Sequence, residues 1–148
     1  MLIFAKPRLQ KAALVTLLGC LYLAPGHAAE DTSNLFLQGQ ISLPVQSASM
    51  VGEADRLIIK IYHPGSDGVD KDPKYTFRSV SDLPTDFRIA PPIDMNGNAR
   101  WPTFIVEAFT DNDGDVLTLG PGELFATTGD PLPLGTEGIE LKLAPPAD

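Results

Sequence analysis

Proline and glycine interrupt this sequence so often that long helices are excluded from most of it. The 148 residues include 14 prolines and 13 glycines, and after residue 28 no stretch keeps a helical hydrophobic period for three turns. Proline removes a backbone donor, and glycine costs conformational entropy inside a helix. Between these residues, short segments alternate apolar and polar side chains, which is typical of β-strands. The sequence therefore predicts an all-β protein.

Seven segments carry the strand pattern. Residues 104–109 are apolar on both faces apart from Glu107, which indicates a central strand. Seven short strands in about 110 residues predict a single antiparallel β-sandwich with Greek-key-like connections, and closure into a barrel is the alternative. The remaining predicted strands are residues 36–43, 56–62, 75–80, 87–89, 123–128 and 139–143.

The first 28 residues differ from the rest. A basic start containing Lys6, Arg8 and Lys11 precedes an apolar run over 12–24, and small residues lead to Ala28. This order is typical of a secretory signal peptide cleaved after Ala28. The apolar run is too short to cross a hydrocarbon core of roughly 30 Å, so no permanent membrane span is predicted. We expect a secreted protein of the bacterial periplasm with a signal peptide over 1–28, a short segment over 29–36, a sandwich domain over 37–143 and a frayed tail over 144–148.

Cys20 offers an alternative fate for the N-terminus. The sequence Leu17-Leu18-Gly19-Cys20 resembles a bacterial lipobox, whose cysteine is lipidated and becomes the first residue. The protein would then be an envelope lipoprotein of the same fold, with its lipid anchor on Cys20. If ordinary cleavage removes Cys20 instead, no cysteine remains, and disulfides and cysteine-ligated metals are excluded.

The charge of the mature chain is strongly negative. Cleavage after Ala28 leaves eight basic residues against 19 acidic ones, and thus a net charge of −11. Such a surface repels nucleic acid and anionic lipid headgroups. It favours a basic protein or peptide client.

Residues 111–115 read Asp-Asn-Asp-Gly-Asp. The alternating carboxylates of Asp111, Asp113 and Asp115, together with Glu123, predict a calcium site, because oxygen ligands from alternate residues can converge on a hard cation. The alternative is a hairpin turn, since glycine accepts positive φ and Asp or Asn side chains bond the nearby backbone. No other cofactor is predicted.

No catalytic site is predicted. His63 is the single histidine after the signal peptide, and one imidazole without cysteine builds neither a usual zinc site nor a triad. The sequence has no phosphate-binding glycine loop and no nucleophile elbow. Trp101 precedes Pro102 at a strand entrance and is predicted to be a core or rim anchor, or else to mark a binding face.

Several segments, in order, resemble the periplasmic C-terminal domain of the cytochrome c-type biogenesis factor CcmI/CcmH. They include "GQISL", "DRLIIKIYHPG" and "YTFRSVSDLPTDFRI", and later "FIVEAF", "GPGELFATTGDPLPLG" and "TEGIELKL". The family's "DLP" followed by an aromatic residue matches residues 82–84 with Phe87. Its proline-glycine-acidic turn matches 121–123, and its closing strand matches 138–141. The same segments are similar to transthyretin-like and carboxypeptidase-regulatory-like modules.

The resemblance implies a seven-stranded sandwich over about residues 37–143. It also implies a non-enzymatic role in binding a polypeptide or assisting assembly in the periplasm, within cytochrome c maturation. A calcium-stabilised structural or adhesion module is the alternative function, because it would use the acidic cluster at 111–123.

Overall fold

Residues 35–147 are described by the computed structural model, and they form two β-sheets that pack face to face. The predicted all-β sandwich is therefore confirmed. The predicted signal peptide, Cys20 and residues 29–34 lie outside the described residues. Within residues 35–147, no helix has the length and apolar character needed to cross a membrane. The strands are β1 (Leu37–Ser42), β2 (Arg56–Pro64), β3 (Asp70–Ser79), β4 (Thr85–Ile89), β5 (Thr103–Asp111), β6 (Phe125–Thr127), β7 (Leu132–Pro133) and β8 (Ile139–Lys142).

The smaller sheet has the strand order β4-β1-β8, and the larger one has the order β3-β2-β5-β6, with β7 also paired to β5. All described pairs are antiparallel except β1 with β8, which run parallel and place Gly39 beside Ile139. Beyond β8, Ala144 exchanges two backbone hydrogen bonds with Phe125 of β6, at 2.8 and 3.1 Å. The predicted frayed tail thus begins with a paired residue, and the two sheets are joined on this side.

The core lies between the two sheets. Leu57, Ile59 and Ile61 of β2 face it from the larger sheet, and Leu37 and Ile41 of β1 face it from the smaller one. These residues occur at every second or fourth position, which is the period-two pattern of a β-strand with one face towards the core. Each fully buried aliphatic side chain of this kind contributes about 1.5–3 kcal/mol of transfer free energy. The same cluster also contains Val80, Phe87, Ile89, Phe104, Val106, Ala108, Leu124, Ala126, Ile139, Leu141 and Leu143.

A second apolar layer lies on the outer face of the larger sheet. Phe77 of β3 is paired with Ile58 of β2, Ile58 with Phe109 of β5, and Phe109 with Phe125 of β6. These four residues, called the aromatic row below, cross all four strands side by side. Ile58 and Phe109 are buried although they face away from the main core.

Two elements differ from the expected pattern. β3 begins at Asp70, five residues before the predicted start, and it includes Pro73. Proline is tolerated there because β3 is an edge strand, whose outer N–H needs no partner. β7 was not among the predicted strands, because its two residues are too few for a periodic pattern. Residues 45–50 form a short 3-10 helix between β1 and β2.

Candidate functional site

The acidic cluster lies at the base of a long hairpin loop. Asp111 ends β5 and Phe125 begins β6, and these strands pair antiparallel. Residues 112–124, called the β5–β6 loop below, connect them. Asp-Asn-Asp-Gly-Asp therefore lies in a hairpin connection, as predicted, but it opens a long loop and does not complete a tight turn.

Three of the four predicted calcium ligands are brought together. One carboxylate oxygen from each of Asp111, Asp113 and Glu123 lies within 4.8 Å of the others. Asp111 is 2% exposed and Glu123 is 1% exposed, whereas Asp113 is exposed. Carboxylates at this spacing are the donor set that calcium prefers. Asp111 is the last residue of β5, and Glu123 lies two residues before β6, so both are held next to the sheet at the two ends of the loop.

Backbone donors already occupy one position on each oxygen of Glu123. Its Oε1 accepts from the N–H of Asn112 at 2.9 Å, and its Oε2 accepts from the N–H of Gly120 at 2.6 Å. Asp111 Oδ1 accepts from the N–H of Gly114 at 2.6 Å. These bonds tie both ends of the β5–β6 loop to buried carboxylates. An ionised carboxylate has about four acceptor sites, so each keeps capacity for a further partner.

The charge of this cluster is only partly compensated. Arg56 of β2 contacts Asp111 Oδ2 through its guanidinium. Within residues 35–147, no other lysine or arginine forms an ion pair with any of the three carboxylates. Three carboxylates and one guanidinium leave an excess of negative charge in a partly buried place. Like charges at this distance repel each other. A divalent cation would neutralise the excess.

Asp115 does not join the cluster. Its carboxylate accepts from the hydroxyl of Thr118 at 2.5 Å and from the N–H of Leu117 at 3.0 Å. The hydrogen bond from Thr118, followed by that from Leu117, lowers the pKa of the Asp115 carboxyl. The third aspartate, which suggested a cation in the sequence, thus has a local role in turning the loop.

The far part of the β5–β6 loop lies against the outer face of the larger sheet. Residues 116–119 line a cavity of about 150 Å³ together with Tyr75, Phe109 and Phe125. Leu117 is 78% exposed on the solvent side of this loop. The loop thereby covers part of the aromatic row and presents apolar side chains of its own.

A polar network borders the cavity. Lys60 contacts Asp70 at 2.6 Å and Glu107 at 3.4 Å, and the hydroxyl of Tyr62 donates to Glu107 at 2.8 Å. Burial, then the hydrogen bond to Glu107, raises the pKa of the Tyr62 phenol. Burial alone would lower the pKa of Lys60, but the hydrogen bond to Asp70 and the charges of Glu107 and Asp70 outweigh it and raise that pKa. The network is held together by charge as well as by hydrogen bonds.

His63 and Trp101 form a stacked pair at the rim of the core. Their rings are 4.5 Å apart and nearly parallel. His63 Nδ1 lies 2.9 Å from the carbonyl oxygen of Thr103, and Trp101 Nε1 donates to Asp72 at 2.9 Å. Trp101 packs against the core, as expected of a rim anchor. His63 is likewise held in a structural contact.

Sequence reasoning missed the aromatic row. Its signal is the apolar character of segment 104–109 on both faces, which requires a cover on each side of β5. The covering loop has no periodic pattern of its own.

No protein-family model matches the sequence, and no significant match to a curated protein or a solved structure was found.

Proposed function

We propose that this domain is a secreted, non-enzymatic module that binds a protein or peptide client through the outer face of its larger sheet. The observation that supports this function is the aromatic row, which is buried in its middle but ends at Phe77, 48% exposed. Leu117 and Leu119 on the β5–β6 loop are also exposed beside it. Contiguous exposed apolar surface is typical of interaction sites.

The adjoining cavity suits an anchoring side chain. Its volume of about 150 Å³ and its lining by Tyr75, Phe109 and Leu119 fit one apolar side chain of a client. Interfaces draw much of their affinity from such anchors in desolvated pockets. The polar network of Lys60 and Glu107 at its wall would fix the orientation of the bound segment.

A basic client is favoured by charge. The mature chain has a net charge of −11, and Asp113 and Asp115 are exposed on the loop beside the apolar surface. Complementary charge accelerates association and excludes wrong partners. The resemblance to the cytochrome c biogenesis domain supports a client in cytochrome c maturation.

The proposed location in the periplasm depends on the signal peptide over 1–28. Mass spectrometry of the mature N-terminus tests it: we expect Ala29 as the first residue. A diacylated Cys20 would instead favour an envelope lipoprotein of the same fold.

Client binding is tested by affinity capture from periplasmic extract. A Phe77→Ser/Leu117→Ser double variant removes the exposed apolar groups, and Met95→Ser, at an exposed position elsewhere, is the matched control. We expect the same client with the wild-type protein and the control, and its loss with the double variant. Equal recovery by the double variant, or no recovery beyond that of an unrelated acidic protein, would contradict the proposal.

A second candidate function is a calcium-stabilised structural or adhesion module. The specific observation in its favour is the convergence of Asp111, Asp113 and Glu123, two of them buried, with one guanidinium as counter-charge. In this function the cation would fix the base of the β5–β6 loop.

A further inference from the structure

Ion pairing is distributed unevenly over this acidic domain. Residues 35–147 contain eight lysines and arginines. Five of them form ion pairs with carboxylates, and within the described part of the chain three do not. The paired ones are Arg56, Lys60, Lys71, Arg100 and Lys142. The other three are Lys74, Arg78 and Arg88.

These three cations lie on one side of the sandwich. Lys74 and Arg78 belong to β3, the edge strand of the larger sheet, and Arg88 belongs to β4, the edge strand of the smaller sheet. Arg78 and Arg88 line the same open groove of about 690 Å³. In a chain with such an excess of acid, we expect cations to find carboxylates, so three cations without an ion pair on one side of the domain point to an acidic ligand.

Neutral groups hold the three side chains in place. Lys74 Nζ donates to the carbonyl oxygen of Ala90 at 3.0 Å, and Arg78 Nη1 donates to its neighbour's carbonyl oxygen at 3.2 Å. The Arg88 guanidinium lies 3.4 Å from the centre of the Phe36 ring. The positive charges therefore keep defined positions without being neutralised.

Three carboxylates also line the groove, and all of them belong to the smaller sheet or to the residues just before β8. Asp86 accepts from the Gln40 amide at 3.2 Å, and Glu140 pairs with Lys142 at 3.4 Å. Glu137 also lines the groove. These groups would repel an acidic ligand from the smaller sheet, so the favourable place is β3 itself.

The second half of β3 lies at the edge of the larger sheet. Among the described strands, β3 pairs with β2 alone. Its first half is protected from further pairing by Pro73 and by Asp72 at φ 49°, because proline and irregular backbone interrupt a ladder. Residues 74–79 contain neither feature, and Lys74, Phe77 and Arg78 are exposed.

We infer that this edge accepts an extended acidic segment of a partner protein as an added strand. Lys74 and Arg78 lie opposite Ile61 and Leu57, and Phe77 lies opposite Ile58, so the cations share one face and Tyr75 and Phe77 share the other. Side chains on one face of adjacent strands contact each other. The partner strand would therefore alternate carboxylates with apolar residues.

A second copy of this chain does not fit the edge. Antiparallel pairing of two β3 strands would collect the Lys74 and Arg78 side chains of both copies on one face, and like charges across strands are destabilising. The inference can be tested separately from the client-binding proposal. The double variant Lys74→Gln/Arg78→Gln removes the two cations of β3 and leaves the exposed apolar side chains Phe77 and Leu117 unchanged.

The experiment uses a fluorescent short peptide that alternates glutamate with valine, and fluorescence anisotropy as the readout. We expect the wild-type protein to bind it and Lys74→Gln/Arg78→Gln to bind about tenfold more weakly, since two charged contacts are lost. The control Lys142→Gln removes a cation from β8, at the opposite edge of the smaller sheet from β4. It should bind the peptide like the wild type. A peptide with lysine in place of glutamate should not bind.

Strand pairing is tested separately with two peptides that are N-methylated at alternate residues. One of the two must lose the hydrogen bonds to β3, so we expect one peptide to bind and the other to fail. Binding of both would overturn strand addition, and absence of any binding by the wild type would overturn the inference. If the double variant self-associates while the wild type does not bind the peptide, the cations only protect the β3 edge from pairing with a second copy. The inference is wrong in that case as well.

Discussion

Arg56, the first residue of β2, lies directly opposite Asp111, the last residue of β5, and its guanidinium contacts the Asp111 carboxylate. The carboxylate is fully buried, whereas the Arg56 side chain is 47% exposed. The pair closes one end of the larger sheet at the base of the β5–β6 loop. Removing the arginine would leave a buried charge without its counter-ion.

Substitution of Arg56 by Met should therefore destabilise the fold. We expect a loss of about 2 kcal/mol in the free energy of unfolding, because a hydrogen bond to a buried charged group is lost. Urea denaturation measures this loss. Lys142→Met, which removes an exposed ion pair with Glu140, should cost less than about 1 kcal/mol. Equal effects of the two substitutions would show that Asp111 does not depend on Arg56.

Calcium should raise the melting temperature through the three convergent carboxylates. At a free concentration tenfold above its dissociation constant, a ligand stabilises the folded state by about 1.4 kcal/mol. We expect the shift to vanish in Asp113→Asn, whose side chain is exposed and whose amide oxygen can still accept from the N–H of Asp115. It should persist in Asp115→Asn, because Asp115 bonds Leu117 and Thr118 and lies outside the cluster.

Thermal melting with calcium and with chelator, at constant ionic strength, is the measurement. Magnesium serves as a control for general screening of negative charge. If millimolar calcium leaves the wild-type melting temperature unchanged, the cluster orders the loop by hydrogen bonds alone.

Gly39→Ala should disrupt the parallel pairing of β1 with β8. A Cβ at this position would lie 2.0 Å from the carbonyl oxygen of Ile139, a backbone atom that cannot move without breaking the sheet. We expect a destabilisation of about 3 kcal/mol, at the upper end for overpacking. Gly52→Ala, whose Cβ would meet the Asp55 side chain at 3.1 Å, is the control and should be far milder. Chemical denaturation of both variants decides the matter.

Tyr62→Phe should change how stability depends on pH. In the folded state the pKa of Tyr62 is raised above its ordinary value of 10.0, so the protonated phenol is favoured by folding. Its contribution is complete below pH 10 and is lost as the pH rises towards the folded pKa. At neutral pH the variant should lose about 1 kcal/mol with the hydrogen bond to Glu107.

Above pH 10 the difference in unfolding free energy between the wild type and Tyr62→Phe should shrink. Denaturation curves across this range provide the measurement, and tyrosinate absorbance should lose its late-titrating component in the variant. A difference that stays constant with pH would mean that Tyr62 titrates alike in the folded and unfolded chain.

The strands were predictable because their apolar residues follow a period of two and end at proline or glycine. β5 illustrates this, since its continuous apolar character predicted a central strand, and β5 lies between β2 and β6. β7 was not predictable, because two residues carry no period. The parallel pairing of β1 with β8 was not predictable from the sequence either, because a local hydrophobic pattern does not show which distant strands pair.

The candidate site was predictable in composition but not in geometry. Asp111, Asp113 and Glu123 could be grouped by the preference of cations for oxygen ligands. Asp115 fits the same spacing, yet its carboxylate turns to Thr118 and Leu117 because those donors lie closer along the chain. The burial of Glu123 depends on the N–H groups of Asn112 and Gly120, and sequence spacing does not reveal these contacts.

The parallel pairing of β1 with β8 also governs when the domain can be completed. β1 is the first and β8 the last of the described strands along the chain, and long-range pairings of this kind form slowly. Until β8 has emerged, β1 lacks one neighbour and the core-facing side chains of β8 are missing. A nascent chain therefore cannot complete its smaller sheet before β8 has been synthesised.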